Sequence, residues 1–265
     1  MHLYFNIFGL QIPAYGLMIV VGVIVANLLA IYIIKKYKLD GNDFLVLEGY
    51  LLLGAFFGAK ILYLLVSFSE IDWSKITDLD YFNQLMQGGF VFYGGLIGGL
   101  LFVFLAGKIH HIKTVDYCRH MICFIPLAHC FGRIGCVLAG CCYGIPYSGS
   151  IAIVYPKGSL APSGIKLFPV QLVEAIFLFC IFVVIFFLDL KKHIKCTIAL
   201  YIILYSILRY FMEYYRYDRV RGILFHQSTS QWISIFMFCI TVLYLVVKRE
   251  KDKHSVKKIR RNIKL

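Results

Sequence analysis

Residues 14–36 read AYGLMIVVGVIVANLLAIYIIKK. No charged side chain interrupts the run from Ala14 to Ile34, and Lys35 and Lys36 close it. A helix that crosses the hydrocarbon core of a bilayer needs about 20 mostly apolar residues and must satisfy its own backbone amides. The pattern recurs down the chain. It predicts spans at residues 14–34, 48–68, 89–107, 120–138, 168–188, 197–215 and 231–247. Composition agrees: the 265 residues are 60% hydrophobic and 15% charged, where a soluble domain carries about 25% charged residues. The expected architecture is therefore one all-α integral membrane domain, residues 1–265, with about seven transmembrane helices. No cleavable signal peptide is expected, because the first apolar stretch lacks a basic leader and is followed by further spans.

Loop charges predict orientation. Lys35, Lys36 and Lys38 follow the first span, Lys108 and Lys113 the third, and Lys191, Lys192 and Lys195 the fifth. A basic tail, residues 248–265, follows the last span, from Lys248 and Arg249 through Lys257, Lys258, Arg260, Arg261 and Lys264. The loop after the second span is acidic instead, with Glu70, Asp72, Asp78 and Asp80 against Lys75. Positive-inside bias then puts the C-terminus in the cytoplasm and the N-terminus outside. The net charge of +13 is thus concentrated beside spans, where it reads as a topology or anionic-lipid signal rather than a nucleic-acid surface. Residues 139–167, rich in Gly, Pro, Ser and Tyr, become an extracytoplasmic head of irregular or β-containing structure. Residues 70–87, mixed polar and apolar, are expected along the outer interface.

Charge inside a span is costly and normally faces the bundle interior or a cavity. The sixth span ends LRYFMEYYR, and Arg209, Glu213 and Arg216 fall on one helical face by spacing. The fourth ends HCFGRIGC, aligning His129, Arg133 and Cys136; the fifth opens PVQLVE, aligning Gln171 and Glu174. Lys60 and Tyr63 lie in the second span, and Tyr15 begins the first. Arg209, Glu213 and Arg216 taken alone fit an internal ion network as well as a binding site. Arg133 has no acidic neighbour in its own span, so Glu174, Glu213 or an anionic ligand must supply its counter-charge. Three arginines against two carboxylates leave a net positive site, which suits a phosphate. His129 alone reads as a hydrogen-bonded core histidine.

GGFVFYGGLIGG in the third span places Gly94/Gly98 and Gly95/Gly99 at four-residue spacing, as Gly54/Gly58 are in the second. Close helix packing explains most of them, while Gly88 and Gly89 could let the backbone approach a ligand. Tyr93, between the pairs, needs a partner for its phenol. Cys136, Cys141 and Cys142 crowd the end of the fourth span. A reactive thiol, a disulfide, a metal site with His129, and plain packing all fit, and the spacing is weak for zinc.

In order along the chain, these motifs resemble the bacterial prolipoprotein diacylglyceryl transferases: Tyr15-Gly16-Leu17, GAK-xx-Y, GG-xxx-Y-GGLIGG, GRIG-xxxx-G-xxx-G, PxQLxE and RYFMEYYR. The resemblance implies a plasma-membrane enzyme that moves the diacylglyceryl group of phosphatidylglycerol to the lipobox cysteine of a prolipoprotein signal peptide. It implies no metal and no organic cofactor. Arg133 and Arg209 would hold the lipid phosphate, with Arg216 and Lys60 near it, and Glu213 would orient Arg209. Tyr15, Gly94, Gly95 and Gly98 would line the lipid site, and Gln171 and Glu174 would support the pocket. The family usually has histidine, its usual base candidate, where Tyr93 stands, arginine where Lys60 stands, and Asn-Phe-x-Asn-x-Glu where Cys136 to Cys141 stand. A tyrosine of ordinary pKa, about 10, is a poor base at neutral pH unless an arginine lowers it, so Tyr93, a catalytic candidate beside Arg133, Arg209 and Glu213, is expected to be used differently from that histidine. A divergent transferase acting on another acceptor, and a non-enzymatic lipid- or thiol-handling protein on the same fold, therefore stand beside the main reading.

Overall fold

The computed structural model describes residues 4–7, 10–191, 196–217 and 223–263; Lys192, Lys195 and Lys264, and the side chains from residue 252 onward, lie outside the described residues. It is overwhelmingly helical, with three short two-stranded ribbons. The chain divides into two compact units, residues 31–118 and residues 1–30 with 119–265.

Four helices are long and apolar enough to cross a membrane: α1 (Ala14–Tyr37), α2 (Gly41–Val66), α7 (Val170–Leu190) and α9 (Thr229–Ile263), whose apolar part ends at Lys251. Two helices separated by a short break, α5 (Thr114–Met121) and α6 (Phe124–Ala139), make a fifth if counted as one broken span. The apolar α4 (Phe92–Ile109) and α8 (Thr197–Met212) are shorter. All of the expected spans are thus helical. Large apolar side chains stand exposed on them, Leu28, Leu65 and Leu101 among them, as expected where the solvent is lipid rather than water.

Helix ends differ from the expected spans for local reasons. α2 begins at Gly41 because Asp40 caps it, its carboxylate accepting from the Asn42 amide at 2.7 Å. The Tyr117 hydroxyl donates to the Asp40 carbonyl and accepts from its amide, both at 3.0 Å. α9 runs through the basic tail to Ile263, since lysine, arginine and glutamate are good helix formers.

In the 31–118 unit, α2 and α4 form the dominant contact. A Cβ on Gly58 would lie 2.3 Å from the Gly94 carbonyl oxygen, and one on Gly54 would lie 2.4 Å from that of Gly98. Backbones touch along this seam, so Gly94 and Gly98, like Gly95 against Ala55, are accounted for by helix contact. Gly89 is met by the Tyr63 ring. Lys60 is buried and donates to the carbonyls of Leu85 and Gly88 (2.8 Å), closing the C-terminus of the amphipathic α3 (Leu79–Gln87). Its Nζ also stands 4.9 Å from the Tyr63 ring centre.

In the other unit, α6 packs on α7, α7 on α8, and α8 on α9, and Gly22 of α1 accommodates Phe131 of α6. Residues 139–167 form a small head with its own core of Tyr155, Ala161 and Leu167 under the ribbon of Ile153–Val154 and Lys166–Leu167.

The α2–α4 seam yields a test. Gly58→Ala should lower the melting temperature of the detergent-solubilised protein, because overpacking costs about 1–3 kcal/mol. Gly49→Ala, on the same helix with nothing within 4 Å of the new Cβ, should be neutral or stabilising, since alanine is the better helix former. Equal melting of the two variants would contradict the seam.

Candidate active site

α6 ends in a left-handed turn at Gly140 (φ 70°), which receives the last helical carbonyls. The Gly140 amide donates to the Val137 carbonyl and the Cys141 amide to that of Cys136. Glycine is required twice here, since a Cβ would also stand 2.9 Å from that of Ser159. The chain then enters the head, which is stitched to the end of α8 by Ile145 N–H to the Tyr215 carbonyl (3.0 Å) and Tyr217 N–H to the Tyr143 carbonyl (3.2 Å). These bonds explain a correction to the sequence reading. Arg216 does not continue the face of Arg209 and Glu213: α8 stops at Met212, Glu213–Tyr215 tighten to a 3₁₀ turn, and Arg216 is extended, bridging Gly144.

Glu174, in the first turns of α7, is 1% exposed. Its Oε1 lies 2.8 Å from Arg133 Nη2 of α6 and 4.0 Å from Arg209 Nη1 of α8. Arg209 Nη2 reaches Glu213 Oε2 at 2.7 Å and donates to Ser230 Oγ of α9 at 3.2 Å. Four helices thus hold one buried ion cluster. The charge of Arg216 also acts on Arg133 and Arg209, so three guanidinium groups face two carboxylates. Among the described residues, Arg133 Nε and Arg209 Nη1 have no hydrogen-bond partner. Buried charged donors normally find one, so these N–H groups mark where an anion fits. The counter-charge of Arg133, open at the sequence level, is Glu174.

Gln171, also 1% exposed, secures the head: its Nε2 donates to the Cys141 carbonyl (2.8 Å) and to the Tyr155 hydroxyl (3.0 Å). Tyr15 packs on Gly135, whose Cβ would lie 3.1 Å from the Tyr15 Cα, and is within electrostatic reach of Arg133 and the three cysteines. Cys136, Cys141 and Cys142 are unbridged, and their sulfur atoms lie within 4.8 Å of one another. His129 does not join them; it packs its ring on Tyr205, centroids 5.7 Å apart. The Cys142 thiol is held well below its ordinary pKa by hydrogen bonds with Cys136 and Cys141 and by the charges of Arg216 and Arg133.

The predicted residues thus divide. Tyr15, Arg133, Gln171, Glu174, Arg209, Glu213, Arg216 and the three cysteines belong to one unit. Lys60, Tyr93, Gly94, Gly95 and Gly98 belong to the other, where Tyr93 sits in the first turn of α4. Ser230 and Tyr155 were missed, being single polar residues whose role shows only in three dimensions. His120 was missed likewise; its Nδ1 pairs with Asp189 Oδ2 at 2.9 Å. Asp189 lies near the far end of α7, so this hydrogen-bonded pair is separate from Glu174.

A multi-helix membrane protein with a buried, net-positive arginine cluster under a small head is the class these features define. The sequence model of the prolipoprotein diacylglyceryl transferase family matches residues 2–247, and the chain belongs to that family. It is 35% identical over 251 residues to phosphatidylglycerol–prolipoprotein diacylglyceryl transferase 2 of Clostridium perfringens, covering 94% of this chain and 95% of that protein. The Clostridium tetani transferase is 34% identical over 92% of this chain and 96% of its own length. That of Campylobacter jejuni serotype O:23/36 is 29% identical over 93% of each.

Glu174→Gln should destabilise the fold by about 3–5 kcal/mol, because it strands the buried Arg133 charge. Denaturant unfolding of the solubilised protein reads this out. Wild-type stability in the variant would show that Arg133 does not depend on Glu174.

Proposed function

We propose that this chain transfers the diacylglyceryl group of phosphatidylglycerol to the cysteine thiol of a prolipoprotein lipobox, the first step of bacterial lipoprotein maturation. The observation that carries the proposal is the meeting of Arg133 and Arg209 over one buried carboxylate, with N–H groups left for an anion. Phosphatidylglycerol is a phosphodiester. The acceptor thiolate attacks the glycerol carbon next to the phosphate, a C–S bond forms, and the C–O bond breaks with its electron pair going to the phosphate oxygen. The leaving glycerol phosphate gains negative charge as that bond breaks. Guanidinium groups already fixed around it lower the barrier without reorganising, and their planar forks match its oxygens.

In this scheme Arg133 and Arg209 touch the phosphate, and Arg216 adds to the local potential. Glu174 and Glu213 hold the two arginines in place. Tyr15 lines the lipid channel. Gln171, through the Cys141 carbonyl and Tyr155, keeps the head seated over the helices. Lys60, in its role as the closing group of α3, supports the fold of its own unit. Tyr93, in the first turn of α4, occupies the position where the resemblance expects a histidine base.

The topology that fits this chemistry has seven spans, α1, α2, α4, α6, α7, α8 and α9. The N-terminus and the 139–167 head lie outside and the C-terminal tail in the cytoplasm. α3 lies along the outer interface, consistent with its amphipathic sequence. Prolipoproteins present their lipobox at the outer face, so the head and the arginines belong there. A cytoplasmic-only reporter fused after residue 265 should be active and the same reporter within the head silent; the reverse pattern would refute the orientation.

Purified protein incubated with phosphatidylglycerol and a lipobox peptide should give a peptide carrying the diacylglyceryl mass on its cysteine. Arg133→Ala and Arg209→Ala should each lose about 100-fold or more of turnover, the scale expected for removing a donor to a developing oxyanion. No modified peptide under conditions where the Clostridium perfringens protein yields it would favour the non-enzymatic reading. Full activity in both variants would refute the phosphate role.

A further inference from the structure

The three cysteines are the cluster of His, Cys, Asp or Glu side chains, among the described residues, that the fold brings close enough to share an ion. Their Sγ atoms all lie within 4.8 Å of one another. Metal–thiolate bonds of about 2.3 Å place three sulfur ligands roughly 3.8–4.0 Å apart, so closing the triangle needs only side-chain rotation and a small shift. Each sulfur comes from a differently constrained place. Cys136 is buried in the last turn of α6, and Cys141 follows the left-handed Gly140. Cys142 itself has φ 55°, an unfavourable conformation for a side-chain-bearing residue that persists only where the surroundings impose it. Gln171 anchors the backbone between them through the Cys141 carbonyl at 2.8 Å. The triangle is therefore held by helix, turn and head together.

We propose that Cys136, Cys141 and Cys142 bind a single thiophilic divalent ion of the zinc class, leaving its fourth position open to an incoming thiol. Three thiolates suit a soft or borderline ion and exclude magnesium or calcium. Arg133 and Arg216 bring positive charge to Cys142, which offsets the excess negative charge of a three-thiolate centre. Three protein ligands with one open position is the arrangement of catalytic rather than structural zinc. Cys136 lies three residues beyond Arg133, on the same face of α6. A thiol bound at the open position therefore sits beside the guanidinium that holds the phosphate.

The second half of the inference rests on the transferase reading. Coordination of the lipobox thiol releases its proton to solvent and leaves a metal-bound thiolate, the nucleophile the transfer requires. The C–S bond then forms as the phosphate leaves, and the neutral thioether product, a weaker ligand, dissociates. This assigns proton removal to the metal in a chain where tyrosine stands at the expected position of the base.

The test separates the two halves. Full-length protein, purified anaerobically in detergent without added metal, is titrated with Co(II). The site predicts one cobalt per chain, with sulfur-to-cobalt charge-transfer absorption and tetrahedral d–d bands, both displaced by Zn(II). Cys142→Ser, and independently Cys141→Ala, should abolish the bands while keeping a cooperative thermal transition; Cys239→Ser, whose cysteine is exposed on α9, should keep them. Absence of the bands, their survival in both cluster variants, or a disulfide among these cysteines in the anaerobic protein would overturn the site whatever the transferase assay shows. Adding a lipobox peptide should shift the cobalt bands, and a Cys→Ser peptide should not. Bands indifferent to the peptide thiol would overturn the catalytic half while leaving the ion site standing.

Discussion

Everything around the proposed reaction centre depends on one carboxylate. Glu174 is almost wholly buried and lies against Arg133 while approaching Arg209. A lone carboxylate or guanidinium at such depth would be prohibitively expensive. Each charge is tolerable only because the others are present. Helices α6, α7 and α8 are therefore tied at one level by electrostatics, and α9 joins them through Ser230. The same cluster leaves buried donors without a hydrogen-bond partner, Arg133 Nε and Arg209 Nη1 among them. A fold that must bury Glu174 thereby produces a site that wants an anion.

The head completes the arrangement mechanically. By bonding to Tyr215 and Tyr217 it ends α8 early and turns Arg216 out of the helix, while Gln171 fastens it to the start of α7. Arginine placement is thus decided by a short irregular segment acting on a helix end. In the other unit the analogous constraint is steric: glycines let α2 and α4 meet backbone to backbone, and Lys60 spends its charge on the carbonyls of α3.

Much of this was legible in the linear sequence. Long apolar runs located every major helix, because in a membrane the spanning length alone is diagnostic. Three- and four-residue spacing grouped Gln171 with Glu174 and aligned Arg133 with Cys136 correctly, since those stretches are regular helix. It failed at Arg216, where regularity ends and contacts remote in sequence decide the path. The counter-charge of Arg133 was open between Glu174, Glu213 and an anionic ligand, and only the packing of α6 against α7 selects Glu174. Ser230 and Tyr155 carry no local pattern. The packing part of the glycine reading was legible because small residues at that spacing have one dominant physical use between helices, whereas the lipid-lining role of Gly94, Gly95 and Gly98 came from the resemblance alone. The cysteines remained ambiguous because convergence of three sulfur atoms depends on the turn at Gly140 and the anchoring of Cys141, neither of which is visible from spacing.

The central claim is that Arg133 and Arg209 receive the phosphate of a phospholipid whose glycerol carbon is then attacked by a thiolate. The most direct measurement is an experimental structure of the protein with phosphatidylglycerol bound in a lipid nanodisc. The account predicts the phosphate oxygens at charge-assisted hydrogen-bond distance, about 2.7–2.9 Å, from Arg133 Nε and Arg209 Nη1, with Glu174 still between the two arginines. A headgroup seated elsewhere, with both guanidinium groups fully occupied by protein acceptors, would contradict it.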